Sequence, residues 1–458
     1  MARLVRSRLA CVALSLTAGF LIGAILFAFD VVPSRRSAPG KTSQKRELVA
    51  SRVVSGRWGK AGKPSLSEEQ RSAIRELKTL GYLSGSRPAP RKDGVTIHDA
   101  SKAYAGLNLV VSGHAPEALL MDMSGNTPHT WRCEVSRAWP DFKPEQGVGE
   151  VQHHTYWRRA CLLPDGGLLA IFDRIGLIKL DRQSRLVWAV RNQAHHDLDI
   201  DENGNIYLLT GEAHINQKFN PQQPIWEDYI SVLDSRGREL RRVSVLEALR
   251  NSDYASVLNR AGPKGDILHT NTIELVRDLP HGRATPFRKG TVIIAIRLLD
   301  LVCAVDLDRQ TVYWAESDFW HREHQPTLLD NGDLLVLDNS RTRNTSAVME
   351  LQPLSRQVKW SYVGGTDGVF YTETCGSCQR LPNGNTLITE SDAGRAFEVT
   401  PDKTIVWEYV NPHRAGAGDE LIATLFEVVR LRKDLPVGWL PGATGDRIPP
   451  GESEHAPE

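Results

Sequence analysis

The chain carries almost no surplus of charge: Lys and Arg number 56, Asp and Glu 55, and the net charge is +1. It has no global basic field, so nucleic acid is excluded as a partner. Six cysteines in 458 residues are too few for a disulfide scaffold. There is no HExxH segment and no carboxylate-rich ligand set, and neither a metal nor a cofactor is expected. The balance of 24% charged and 41% hydrophobic residues excludes wholesale disorder and fibrous repeats. What is plentiful is tryptophan, 11 residues against 10 tyrosines.

One apolar run is long. Leu9 to Phe29 gives 21 residues behind Arg3, Arg6 and Arg8, closed by Asp30. As a helix that length crosses ~30 Å of hydrocarbon. No clear small-x-small cleavage site follows. Residues 1–32 therefore read as a cytoplasmic tip and a transmembrane signal-anchor, with the rest of the chain on the extracytoplasmic, periplasmic side. Arg35, Arg36, Lys41, Lys45 and Arg46 follow the span, but a large domain translocates despite flanking charge. Residues 33–64, rich in Ser, Arg, Lys, Gly and Pro, read as a flexible basic stalk. Residues 65–104 hold a short helix and a lead-in. Ser65 and Glu68 have capping-box spacing, Ile74 and Leu77 share a face, and Gly81 is a stop signal.

From residue 105 to 432 a repeat sets the architecture. One half of the unit is a hairpin with a tight Gly-containing turn: ACLLPDGGLLAIFD (160–173), DLDIDENGNIYLLT (197–210), PTLLDNGDLLVLDN (326–339) and CQRLPNGNTLITES (378–391). Asp165-Gly166, Asn203-Gly204, Asn331-Gly332 and Asn383-Gly384 supply the positive φ such turns need. The other half is a second hairpin ending in an aromatic strand, with Trp131, Trp188, Trp314, Trp360 and Trp407 recurring. Four short strands per unit predict β-propeller blades. Six are expected, at about 105–136, 151–190, 194–245, 267–317, 322–362 and 372–410. The first offers three strands, and Ala423–Arg430 is a lone late strand that can complete it. The fold class is thus all-β: a six-bladed β-propeller closed by a C-terminal strand, preceded by the transmembrane helix and the short helix. The tryptophans are expected between blades, and residues 433–458 read as a disordered tail.

The innermost strand of each blade lines the channel. Just before these strands stand His153-His154, His195-His196, His269, His321 with His324, and Cys375 with Cys378, so that seven of 14 histidines share one point of the repeat. Radial geometry gathers such positions around one axis. Neutral imidazole is a nucleophile and base, and imidazolium an acid and anion ligand. Arg341 and Arg343 follow the first strand pair of the fifth blade, and a guanidinium grips a sulfate or phosphate bidentately. Histidines plus arginine in a channel point to an oxyanion ester. Strand alternation aims one ring of each pair inward, and His154 and His196 are preferred because they stand nearer the apolar strand. A metal bound by several channel histidines is the competing reading. Cys375-Gly-Ser-Cys378 could be a disulfide, inert thiols, a redox pair or half a metal site. Cys133, Cys161 and Cys303 are read as buried small hydrophobes within strands.

The phrases GHAPEALLMDMSGNTPHTW (113–131), HQPTLLDNGDLLVLDNS (324–340) and GSCQRLPNGNTLITESDAGRAFEVTPDKTIVWEYVNP (376–412) resemble the bacterial arylsulfotransferases that do not use the nucleotide sulfate donor. The resemblance covers about residues 90–430. It implies a six-bladed, usually periplasmic propeller. It also implies ping-pong transfer of a sulfuryl group from a phenolic sulfate ester to a phenol through a sulfated channel histidine. By position His324 matches a pore histidine and Arg341 the arginine after it, with Arg343 the fallback; His196 and His269 are the other pore histidines. The sixth blade departs from the pattern, with Ser377-Cys378-Gln379 where a sulfate-accepting histidine is expected. Cys378 is therefore a further catalytic candidate. The alternative is a non-catalytic propeller that binds an anionic aromatic, a glycan or an envelope partner.

Overall fold

The computed structural model describes residues 67–71, 91–143, 153–279, 285–317, 319–342, 344–365, 368–415, 419, 421–433 and 437–440. The expected membrane span, the stalk and Arg343 lie outside these. Among the described residues no helix is long and apolar enough to cross a membrane.

Six antiparallel sheets form a β-propeller. Their inner strands are Leu425–Arg430, Arg159–Leu162, Ala194–Ile200, Thr270–Leu275, His324–Leu328 and Ser377–Arg380, for blades one to six in turn. In blade one the C-terminal strand pairs with Asn108–Ser112, followed outward by Glu117–Met121 and His129–Arg132. Blade six carries a fifth, outermost strand, Gly94–His98, paired with Ile405–Val410. This segment falls in the expected lead-in and shares no repeat phrase with its partner strand. In blade three Gly265–Asp266 adds a short parallel strand against Ile225–Leu233.

The inner hairpins turn at Gly166, Gly204, Gly332 and Gly384, all with φ between 79° and 88°. Second strands such as Leu168–Phe172 and Val292–Ile296 are buried throughout, because each is sandwiched between neighbouring blades. The tryptophans join blade to blade by hydrogen bonds. The indole N–H of Trp131 donates to Gly166 O at 3.0 Å, Trp188 to Ser235 O at 3.2 Å, Trp360 to Pro401 O at 2.9 Å and Trp407 to Met123 O at 3.0 Å. Each acceptor lies in a turn of the next blade, so the same bond recurs around the ring. Trp131→Phe keeps the aromatic filling but strands the buried Gly166 carbonyl. We expect it to lower stability by about 1–3 kcal/mol, seen as a lower urea midpoint at unchanged m-value.

A buried ion pair locks the closure. Arg430, fully buried, donates Nε to Asn108 Oδ1 at 2.7 Å and Nη1 to Glu398 Oε2 at 3.0 Å, and lies 5.0 Å from the centre of the Trp407 ring. Glu398 Oε1 also accepts from Tyr104 N and Asn385 Nδ2, both at 2.7 Å. The first and last segments of the ring and blade six thus share one charge pair.

Three local expectations are corrected. The helix-start capping box forms on Ser67 and Gln70, two residues later than Ser65 and Glu68. Ser67 N donates to Gln70 Oε1 at 3.0 Å and Gln70 N to Ser67 Oγ at 3.1 Å. Part of the tail is ordered: Val437 and Leu440 are buried in the core of blades one and two, and Trp439 packs 5.7 Å from Trp131. Cys133 is buried as expected but lies just beyond its strand.

Candidate active site

The inner strands do not begin as regular strands. His196, His269, Gln325 and Cys375 have φ of 56°, 58°, 48° and 55°, the left-handed region that non-glycine residues rarely adopt. The sheet register slips beside three of them: between the partners of Leu208 and Thr210, Thr270 and Thr272, and His324 and Thr327. Such bulges re-aim side chains and accumulate at functional sites. Here they break strand alternation, so that both His195 and His196 are buried, 2% exposed each.

The rings meet. His195 Nδ1 and His196 Nδ1 are 2.7 Å apart, and the ring centres of His196 and His269 are 5.1 Å apart. Carboxylates on neighbouring strands hold them. Asp173 lies 3.1 Å from His153 Nδ1 and accepts from the His196 backbone N–H at 3.4 Å. Asp266 Oδ2 lies 2.7 Å from His269 Nδ1 and accepts from Arg174 at 3.0 Å. Of the first pair it is His153, not the preferred His154, that is buried against Asp173; the His154 ring lies tilted, 5.8 Å from the Phe142 ring centre. His321 is exposed and meets Asp300 at 3.2 Å.

His324 has the most defined environment. Asn339 Nδ2 donates to Thr372 O at 2.9 Å and Cys375 O at 2.8 Å, which fixes the amide orientation. Its Oδ1 then accepts from His324 Nδ1 at 2.7 Å, and Arg322 O accepts from the same nitrogen at 3.0 Å. Two acceptors require the proton on Nδ1. The lone pair is on Nε2, which is buried without a partner.

Burial keeps these imidazoles neutral. It pushes His324 down to about 3, helped by the nearby Arg297 and Arg158, and His195 down to about 4. His196 and His269 also lie well below the usual range, chiefly through burial. Asp173, although burial opposes it, is held low by the His153 hydrogen bond and by nearby positive charge. Asp228, 3.5 Å from His195, is pushed up to about 7 by burial and by Asp266.

The positive charges that help hold His324 low are those of Arg297 and Arg158. Arg341 is 45% exposed and donates to Phe319 O at 3.1 Å. Arg158 is buried over the Phe426 ring, and the Nε atoms of Arg158 and Arg297 have no partner. Sequence reading missed both: Arg297 directly follows the second strand Val292–Ile296, whereas Arg341 lies inside the longer strand Leu334–Thr342.

Cys378 is not with the histidines. One layer further along the inner strands, Arg159 bridges Asp197 at 2.8 Å and Glu427, and Asp199 pairs with Arg277 at 2.6 Å. Cys378 faces this layer, with Sγ 3.7 Å from Gln325 O, beside a cavity of about 1250 Å³ at the hairpin end of the channel. Burial pushes its thiol up to about 12. Cys375 and Cys378 are both free thiols.

A channel that collects neutral histidines beside a buried and a half-buried arginine has the chemistry to take an anion and a nucleophilic step. The arylsulfotransferase (ASST) family model matches residues 159–412, more than half of the chain, and the protein belongs to that family. No curated protein matches it. Among solved structures it is similar to a protein of unknown function from Bacteroides caccae, with 12% identity, 72% of this chain and 100% of that chain covered, and a TM-score of 0.46. It is also similar to a streptogramin B lyase at 12% identity, with 76% and 96% covered and a TM-score of 0.41. A catalytically inactive virginiamycin B lyase from Staphylococcus aureus with quinupristin gives 11%, 72% and 87%, and 0.39. At these scores the structural neighbours say nothing about function.

Proposed function

We propose that the protein transfers a sulfuryl group from a phenolic sulfate ester to a phenol, and that His324 carries the group between them. The observation that supports this most is the buried, unpartnered Nε2 of a histidine whose Nδ1 proton is fixed by Asn339 and Arg322 O. Nε2 attacks sulfur, the bond from sulfur to the aryl oxygen breaks, and phenolate leaves with its electron pair. Arg158 and Arg297 hold the sulfuryl oxygens, where preorganised cations stabilise developing charge. In the second half-reaction the acceptor phenol gives its proton to His269, whose Nδ1 is held by Asp266, and its oxygen takes sulfur from His324.

The sixth blade keeps a part in this scheme without a histidine. Its lead-in supplies the carbonyls of Thr372 and Cys375 that orient Asn339. A thiol pushed up to about 12 is not a thiolate at neutral pH, so Cys378 is set aside as the acceptor. We place the propeller outside the cytoplasm, held by the apolar run Leu9–Phe29.

The test is release of nitrophenol from nitrophenyl sulfate by the purified domain, with and without a second phenol. Acceptor-dependent release supports transfer. Tight sulfate-ester binding with no release favours the second reading, a binding propeller, which the missing sixth-blade histidine motivates. The pH profile adds a sharper check. His195 near 4 and His324 near 3 stay neutral as pH falls through the ordinary histidine range. For the donor, kcat/KM is expected to hold down to about pH 5 and to fall only below it. An acidic limb centred near pH 6.5 contradicts the neutral-imidazole site.

A further inference from the structure

Away from the channel histidines, and among the described residues, His114, Glu117 and His413 each bring one potential ligand atom within 4.8 Å of the others. They come from two parts of the ring. His114 lies in the turn between the second and third strands of blade one, and Glu117 begins the third. His413 lies on the connection from blade six to the closing strand Leu425–Arg430. The two imidazoles stack with ring centres 3.3 Å apart and planes 7° apart, and His114 Nε2 lies 2.8 Å from Glu117 Oε1.

A supporting network orients all three. Asn411 Nδ2 donates to Ser112 Oγ at 2.8 Å and to Ala423 O at 3.0 Å, which turns Asn411 Oδ1 to the His413 backbone N–H at 3.2 Å. Ser112 Oγ also meets His114 Nδ1 at 3.0 Å. That leaves His114 Nε2 as the ligand atom. The other Glu117 oxygen lies 3.5 Å from Arg132, leaving Oε1 as a single ligand. Ligating histidines commonly have the second ring nitrogen engaged in this way. Ligand atoms on a tetrahedral zinc ion, with bonds of about 2.0–2.1 Å, stand about 3.3–3.4 Å apart; the three ligand atoms already lie within 4.8 Å of one another, and rotation of the two rings out of their stack turns both lone pairs onto one ion.

We propose that His114, Glu117 and His413 bind one divalent transition-metal ion of the zinc class, with a fourth position open to water. Two imidazoles and one carboxylate suit such an ion better than calcium or magnesium, which take oxygen ligands. Because His413 precedes the closing strand, the ion pins residues 411–415 to blade one, and its binding raises the stability of the ring.

The experiment uses tag-free protein stripped with chelator and titrated with Zn²⁺, and with Co²⁺ as a spectroscopic probe. The expected result is one ion per chain, a tetrahedral cobalt absorbance and a raised Tm. His413→Ala and Glu117→Gln should each weaken binding by more than the about 10–100-fold that loss of an outer partner gives. His321→Ala, at an exposed histidine elsewhere, should bind normally. Absence of stoichiometric uptake by folded wild-type protein overturns the proposal. So does uptake that survives both ligand variants, or uptake lost in His324→Ala but kept in His413→Ala.

Discussion

His324→Ala is expected to remove sulfuryl turnover while leaving the fold intact. Loss of a covalent nucleophile can cost about 10⁶ in kcat. Here we expect a fall of at least about 10³, because Arg158, Arg297 and the other imidazoles still bind and polarise the ester. Deleting the buried ring unpairs Asn339 Oδ1 and Arg322 O, so Tm should fall by the equivalent of about 1–3 kcal/mol while the ring stays folded at assay temperature. Asn339→Leu acts through His324. It removes the acceptor that fixes the Nδ1 proton, and both kcat and the pH profile should change while donor KM stays close to wild type. Arg341→Ala, at a half-exposed side chain bonded to Phe319 O, should stay within a few-fold of wild type. Arg158→Ala should not. Comparable losses in Arg341→Ala and Arg158→Ala would reverse the assignment of the anion-binding arginine. Steady-state kinetics with a chromogenic sulfate ester, beside thermal melts of each variant, decide the matter.

Truncation after Ala423 is expected to unfold the whole ring rather than one blade. It removes Leu425, Phe426 and Val428 from the core, the ladder to Asn108–Ser112, and Arg430 from its pair with Glu398. Burying each large apolar side chain contributes about 1.5–3 kcal/mol. Breaking a buried ion pair from one side costs about 3–5 kcal/mol. Together these exceed most of the roughly 5–15 kcal/mol that holds a domain folded. The point variant Arg430→Met isolates the pair: it should lose about 3–5 kcal/mol and still fold. Urea unfolding with fluorescence of the inter-blade tryptophans measures both. A truncated chain that melts like the full one would show that blade one closes without its inner strand.

The blades were legible because their signals are local. A glycine at Gly166, Gly332 or Gly384 announces a turn whatever the rest of the chain does, and a repeated Trp marks the seam between blades. The late strand Leu425–Arg430 was visible because blade one was one strand short. Gly94–His98 was not, since nothing in GVTIH names a partner in blade six. The candidate site was legible in part. The repeat placed His196, His269 and His324 at one level of the channel, and the structure does bring them to one end of it. Which ring of a pair turns inward depends on left-handed backbone at His196, His269 and Cys375. Such residues carry no glycine to announce them. Arg341 lies inside the second strand of blade five and is half exposed, and Arg158 lay in the unpatterned segment before a strand. Cys378 followed from a gap in a family pattern, and a gap does not say which layer of the channel the substitute occupies.

The most direct measurement is peptide mass spectrometry of protein quenched during turnover with an aryl sulfate and no phenol acceptor. The account predicts a sulfuryl group on the peptide containing His324, labile in acid, absent from His324→Ala and present in Cys378→Ser. A sulfuryl group on Cys378 or on another histidine, or full transfer activity with no adduct on His324, would contradict it.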